Sequence, residues 1–233
     1  MNKEQKERYS RHLLLENLGE QGQQKLLDAS VLVVGAGGLG APILQYLVAA
    51  GVGHIGIVDA DVVNRSNLQR QILYREDEIS CSKALKAKET LSRLNGDVEI
   101  STYPVMLTEA NAEEIISSYD IVVGATDNFD SRLLIDTVTK AQAKPFVHGS
   151  IGEFEGQVAV FNYQGSISYQ DLFSKPSVPQ DDRLGVMGVL PGIIGSLQAT
   201  EVIKIICGIG DVLSNKLMVY DALSCEMQVV KMS

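Results

Sequence analysis

The sequence predicts an α/β fold of the Rossmann-like, doubly wound kind: a mainly parallel sheet with antiparallel C-terminal strands and a helical segment at the N-terminus. Three observations predict it. As far as Gly149, β-branched runs alternate with helix-length amphipathic segments, the pattern of a parallel sheet covered on both faces. The cluster Gly35-Ala36-Gly37-Gly38-Leu39-Gly40 sits between the first such run and its helix. Beyond Gly149 the alternation stops, and strand-like runs replace it.

The elements follow in order. RYSRHLLLENLGEQGQQKLLD has apolar residues at helical spacing and few breakers, so it reads as a pair of helices. SVLVV is the first strand, APILQYLVAAGVG the first crossover helix, and HIGIVDAD the second strand, ending in Asp59 and Asp61. SKALKAKETLSRLN is a helix, VEISTYP a third strand and EANAEEIISS another helix. DIVVGATDN is a fourth strand with a polar end, FDSRLLIDTVTKAQA a helix and KPFVHGS a fifth strand. EFEGQVAVFNYQG reads as antiparallel, and a Ser-, Pro- and Asp-rich loop runs from Gly165 to about Arg183. A glycine-punctuated helix, VLPGIIGSLQATEVIKIICG, then leads to two closing strands, KLMVYDA and CEMQVVKM. There is no repeat and no linker, so residues 1–233 form a single domain. The 165–183 loop is its mobile, function-carrying segment.

Composition removes several classes of function. Hydrophobic residues make up 45% and charged residues 21%, ordinary values for a globular protein. The net charge of −9 argues against nucleic acid as the main partner, because neutralising phosphates needs a basic surface. Cys81, Cys207 and Cys225 are far apart and form no C-x-x-C pair, which points to a reducing, cytoplasmic setting. Cys207 and Cys225 read as core positions, and Cys81 as a thiol close to Lys83. The N-terminus is too charged for a signal peptide. The apolar stretch from Val189 to Ile209 contains Pro191, Gln198, Glu201 and Lys204, so it reads as a buried helix and not as a membrane span.

Three constellations carry chemistry. Glycines at 35, 37, 38 and 40, between a strand and a helix, let the backbone approach a phosphate chain at the helix's positive end. Asp59, nineteen residues after Gly40, is placed for ribose hydroxyls. Nicotinamide and flavin enzymes share this much, as does a glycine turn that serves packing alone. The second constellation is Ser66-Asn67-Leu68-Gln69-Arg70-Gln71 with Lys83 beyond it. Attack at the α-phosphorus of a triphosphate builds charge on oxygens that Arg70 and Lys83 can neutralise, with Asn67 as a neutral donor. The plainer reading of Arg70 and Lys83 is a solvated surface pair. The third is Thr126-Asp127-Asn128 at the end of the fourth strand, where functional groups of open α/β sheets gather. Asp127 suits Mg²⁺ bridging phosphate oxygens, and Asn128 suits the cap of the next helix. His12, His54 and His148 are isolated and read as structural.

With RYSRH, GQQKLL, VLVVGAGGLG, AGVG, VDAD, SNLQRQ, Lys83, TDN, EGQV, GSLQATEVIK and YDA, the chain resembles the MoeB/ThiF/HesA group of sulfur-carrier adenylyltransferases, bacterial relatives of the ubiquitin-activating enzymes. The resemblance implies ATP-dependent adenylation of the C-terminal glycine carboxylate of a ubiquitin-like, ThiS- or MoaD-like carrier, for thiamine or molybdopterin biosynthesis. It implies Gly38 in the phosphate loop and Asp59, with Asp61 beside it, on the ribose. It implies Asn67, Arg70 and Lys83 on the triphosphate, flanked by Ser66, Leu68 and Gln69, and Asp127 on magnesium beside Asn128. Arg11 corresponds to an arginine finger that reaches the ATP of a second subunit, which implies a homodimer. The carrier's Gly-Gly tail is expected to thread under the 165–183 loop.

Two departures from the family pattern matter. Ser168-Tyr169-Gln170-Asp171 stands where many members have the first of two zinc-binding C-x-x-C pairs, and the sequence ends at Ser233 before the second, so no zinc is expected. Asp181 stands where some members have a cysteine, which puts a covalent thioester or persulfide step in doubt. Two other classes compete. An NAD(P)-dependent oxidoreductase accounts for the glycine loop and Asp59 but leaves Arg11, Arg70, Lys83 and Asp127 without a role. A non-catalytic binder of a ubiquitin-like protein accounts for the missing cysteines but not for the nucleotide set.

Overall fold

The computed structural model describes residues 1–173 and 185–232. One eight-stranded sheet has the order β3-β2-β1-β4-β5-β6-β7-β8. The strands are β1 (Ser30–Val34), β2 (His54–Val58), β3 (Glu99–Tyr103), β4 (Ile121–Gly124), β5 (Phe146–Gly152), β6 (Glu155–Phe161), β7 (Lys216–Asp221) and β8 (Glu226–Lys231). The first five run parallel, with Ser30 opposite His54 and Val31 opposite Ile121. β6, β7 and β8 are added antiparallel, beginning with Phe146 opposite Phe161. The change at Gly149 read from the sequence is therefore the change from crossover to hairpin topology.

A short helix, α1 (Lys3–Arg8), precedes the expected pair, α2 (Ser10–Leu13) and α3 (Gly19–Asp28). α1 and α2 are separated at Tyr9, whose side chain turns inward, is buried and accepts a hydrogen bond from Asn95 Nδ2 at 2.9 Å. α4 (Gly40–Ala50), α5 (Lys83–Leu94) and α9 (Leu190–Cys207) join α3 on one face of the sheet. α6 (Ala112–Ser117), α7 (Phe129–Ala141) and α8 (Tyr169–Leu172) cover the other. The central strands β1 and β4 are buried along almost their whole length, as strands covered on both faces must be.

α9 is long and apolar enough to cross a membrane by composition, yet half of it is buried inside the fold. Its polar residues are used internally. Gln198 Nε2 donates to the Gly124 carbonyl at the end of β4 (2.9 Å), and Glu201 accepts from the Leu213 amide (2.8 Å). Cys207 is buried as expected, but Cys225 is exposed. It lies in the turn between β7 and β8 at φ 56°, on the last and outermost strand pair, where no further layer covers it.

The crossing of α4 and α9 is unusually close. A Cβ at Gly195 would stand 2.6 Å from both the Leu39 carbonyl oxygen and Pro42 Cγ. Gly195→Ala should therefore destabilise the fold by about 1–3 kcal/mol as an overpacked core substitution. That penalty exceeds the advantage of about 1 kcal/mol that alanine holds in helix propensity. Denaturant unfolding checks this: the midpoint should fall with an unchanged slope. An unchanged or higher midpoint would show that the crossing has room to spare.

Candidate functional site

The connections of β1 and β4 leave toward opposite faces of the sheet, so a crevice opens beyond their C-terminal ends. A cleft of about 1480 Å³ lies there. Its walls include the turn after β1 (Gly35, Gly37, Gly38), the end of β2 (Asp59, Asp61) and the start of α5 (Lys83). The turn after β4 (Asp127, Asn128) and Arg70 complete this end. The opposite end is built from the hairpin of β5 and β6 and the turn after β7, with Glu155, Gln157, Asp221 and Leu223.

The glycine turn is shaped by close backbone approach. Gly35 has φ +102°, and a Cβ there would come within 2.5 Å of the Ala125 carbonyl oxygen. A Cβ at Gly40 would come within 2.1 Å of the Gly35 carbonyl oxygen, so Gly40 lets α4 start directly on the turn. Gly37 and Gly38 line the cleft itself. Asp59 braces the turn from the side. Its carboxylate accepts from the Ala36 amide at 2.7 Å and from the Asp61 amide at 2.8 Å. Burial raises its pKa, and those two hydrogen bonds oppose the rise.

Between Asp61 and Lys83 the chain leaves the sheet and returns to the same point. The neck is closed by the Val62–Ser82 bridge and by the Lys83 amide donating to the Asp61 carbonyl at 2.9 Å. Lys83 Nζ pairs with Asp61 Oδ2 at 3.0 Å; the lysine side chain is 5% exposed and its partner 67%. Lys83 is thus part of the cleft wall, not a solvated surface charge. At the far end of the excursion the Asn67 carbonyl accepts from the amides of Arg70 and Gln71. That turn directs Arg70 and Gln71 toward the cleft. Tyr74 donates its hydroxyl to the Ala36 carbonyl at 2.7 Å and so ties the excursion to the glycine turn. Burial and the nearby Asp59 carboxylate push the Tyr74 pKa far up, so the phenol remains a donor.

Of the residues named from the sequence, Gly35, Gly37, Gly38, Asp59, Asp61, Arg70, Lys83, Asp127 and Asn128 line this one cleft. Gly40 lies beneath it. Ser66, Asn67 and Leu68 form the supporting turn, with Leu68 packed against the core. Gln69 faces a neighbouring groove of about 460 Å³ that shares Gly38 and Arg70 with the cleft. Arg11 is exposed on α2, away from the cleft of its own chain. Asn128 caps α7, accepting from the Ser131 amide at 2.8 Å. Ser168 and Asp171 form a capping box that starts α8. Asp181 and the 174–183 part of the loop lie outside the described residues.

Gln71, the last residue of the second constellation, is 5% exposed and lies against Gly37. A cleft-side residue without a sequence signal is Arg132, which is 9% exposed and donates to the Thr126 carbonyl at 2.9 Å. It belongs to an ordinary amphipathic helix, and only the fold turns it toward the cleft.

The donor set fits a magnesium–nucleotide better than a free-standing metal. Among the described residues no group of three or more His, Cys, Asp or Glu is placed to hold a metal. Mg²⁺ needs only one or two carboxylates when phosphates and water supply the rest, and Asp127 is an exposed carboxylate on the cleft wall.

A sequence profile of the ThiF family matches residues 9–233. The chain belongs to the ThiF family. A Thermus thermophilus relative named sulfur carrier protein adenylyltransferase is 47% identical over 235 residues, spanning 97% of this chain and 87% of that protein. A Porphyra purpurea relative named probable molybdopterin-synthase adenylyltransferase is 46% identical over 229 residues, spanning 96% of this chain but only 60% of that protein. Among solved structures, Escherichia coli MccB, crystallised with MccA-N7isoASN, superposes with a TM-score of 0.88 at 20% identity. That match spans 98% of this chain and 72% of the MccB chain, and it shows a shared fold.

His148, on β5, belongs to the packing of this ThiF-family domain. It is buried against Phe146, Phe161, Tyr169 and Phe173, and its Nδ1 has no hydrogen-bond partner. Burial, reinforced by the Arg132 charge, holds its pKa well below the ordinary value. The unfolded chain protonates this histidine below about pH 6.5, whereas the folded chain resists it. Stability is therefore lost as pH falls below the unfolded value, until the folded pKa is reached. His148→Leu should flatten that part of the pH dependence between about pH 6.5 and 5. Denaturant midpoints across this range check it; an unchanged slope would assign the acid sensitivity elsewhere.

Proposed function

We propose that this chain uses ATP to adenylate the C-terminal glycine carboxylate of a ubiquitin-like sulfur-carrier protein, of the kind that serves thiamine or molybdopterin synthesis. Family membership and the curated relatives support an adenylyltransferase. The observation that carries the reading is the meeting in one cleft of a glycine turn, two cations and a carboxylate from four separate segments. A dinucleotide site explains Gly35–Gly40 and Asp59 but gives Arg70, Lys83 and Asp127 nothing to do.

The residues divide the work. Gly37 and Gly38 leave room for phosphates at the start of α4, and the remaining acceptor capacity of Asp59 faces the ribose. Lys83, held by Asp61, and Arg70 place positive charge where negative charge grows on the α-phosphate and on departing pyrophosphate. Mg²⁺, held by Asp127 and the phosphates, would offset charge on the triphosphate. The carrier's own carboxylate attacks the α-phosphorus, giving acyl-adenylate and pyrophosphate, so no enzyme nucleophile is required. The end of the cleft at Gln157, Asp221 and Leu223 offers room for an extended tail.

ATP–pyrophosphate exchange, stimulated by a Gly-Gly-ended carrier, tests the reading. Exchange by the wild type and its loss in Asp127→Ala, by about a hundredfold or more, are expected, with an unchanged melting curve. Normal turnover of the variant would remove the carboxylate from the mechanism. Exchange absent from the wild type with every carrier tried would leave a non-catalytic binder.

The exposed position of Arg11 outside its own cleft supports a homodimer in which it completes the partner's site. Inactive Arg11→Ala and inactive Asp127→Ala proteins, mixed and allowed to exchange subunits, should then regain partial activity. One hybrid site holds both wild-type residues. No rescue after verified exchange would rule out action in trans.

A further inference from the structure

Asp127 is exposed, and the one hydrogen bond described for its side chain is a long one, 3.5 Å, from Asn128 Nδ2. Something else must fix it if it is to meet a ligand. Both neighbours are fastened to the first turns of α7. On one side Asn128 caps the helix at Ser131. On the other, Arg132 Nη2 donates to the Thr126 carbonyl at 2.9 Å. That carbonyl shares a rigid peptide plane with the Asp127 amide, so the bond sets the orientation of the Thr126–Asp127 peptide.

The positive charge of Arg132 lies near the Tyr169 hydroxyl on α8. α8 is in turn fastened to α7 by the same stripe of side chains, at spacings of four residues. Asp136 accepts from the Tyr169 amide (2.8 Å), the Gln170 amide (3.2 Å) and Asn162 Nδ2 (2.9 Å). Lys140 Nζ donates to Ser168 Oγ at 3.1 Å. Arg132, Asp136 and Lys140 therefore lock α8 and the Asp127 turn to one helix face. The Arg132 Nε is buried with no partner, a cost that a role in packing alone does not explain.

We propose that Arg132 is a positioning residue for the adenylation reaction, its bond to the Thr126 carbonyl setting the peptide from which Asp127 is presented to the magnesium–nucleotide. The proposal rests on the adenylation reading of the cleft. Arginine suits this place because its planar guanidinium aims a donor at the carbonyl in a fixed direction; lysine keeps the charge but not that geometry. Loss of such a supporting contact typically costs about 10–100-fold in metal affinity or activity.

The test is calorimetric titration of ATP into the full chain with and without Mg²⁺, alongside ATP–pyrophosphate exchange, for wild type, Arg132→Lys and Arg132→Gln. In Arg132→Lys the Mg²⁺ concentration giving half-maximal ATP affinity should rise about tenfold, with metal-free ATP affinity unchanged. Exchange should lose kcat more than KM for ATP. Arg132→Gln, too short to reach the Thr126 carbonyl, should shift the Mg²⁺ half-point the same way, and it carries the test alone if Arg132→Lys does not fold. An unchanged half-point in a folded variant, or an equal loss of metal-free and metal-bound affinity, would overturn the proposal and leave Arg132 a packing residue. A wild type that binds no ATP would overturn the adenylation reading and this role with it; a wild type that exchanges normally isolates the outcome to Arg132.

Discussion

The site depends on one constraint of space, the absence of any side chain between the turn after β1 and the turn after β4. The Gly35 carbonyl oxygen lies where a Cβ of residue 40 would be, and the Ala125 carbonyl lies where a Cβ of residue 35 would be. Only glycine at both positions lets α4 begin directly on the sheet end with its free amides facing the crevice. Any larger residue would push the helix away from β4 and separate the amides at the start of α4 from Asp127. The backbone bonds from Gly35 to Val58 and from Ala125 to Val34, each 2.8 Å, show how closely the strand ends are drawn together.

Polar groups from other layers stabilise this junction. Asp59 holds the Ala36 amide, Tyr74 holds the Ala36 carbonyl, and Gln198 reaches from α9 to the Gly124 carbonyl. Each is a single bond to a buried or half-buried backbone group that would otherwise be left unsatisfied, so each is costly to lose. Together they tie the ends of β1 and β4 to the end of β2, to the excursion from Val62 to Ser82 and to α9. The proposed nucleotide end of the cleft therefore sits on a cross-braced junction of the sheet, while its other end lies among the antiparallel strands.

The charges divide in a related way. Lys83 gains its position by burial and by its pairing with Asp61, so its direction is fixed before any ligand arrives. Asp127 has no such burial and takes its direction from the backbone on either side. A cation held in the wall and a carboxylate held by its peptide are two solutions to one requirement, a charged group aimed without a large desolvation cost.

The sequence by itself determined the fold class, the strand sequence and the residues at strand ends. Periodicity separates strand from helix, and the glycines at 35 and 40 mark where the backbone passes without a side chain. It also placed Asn128 as a cap and Cys207 in the core, both local or strongly apolar features. It misplaced Cys225, because an apolar pattern does not reveal which strand ends a sheet. It gave no sign of Arg132, and it left Lys83 between surface and site. Whether a cation is solvated or buried depends on what folds over it, and here that is the return of the chain from Val62 to Ser82. Side chains on an amphipathic helix such as α7 look alike in sequence. Only the packing of α8 against it, through contacts between residues 33 and 34 positions apart, decides which of them reach the site.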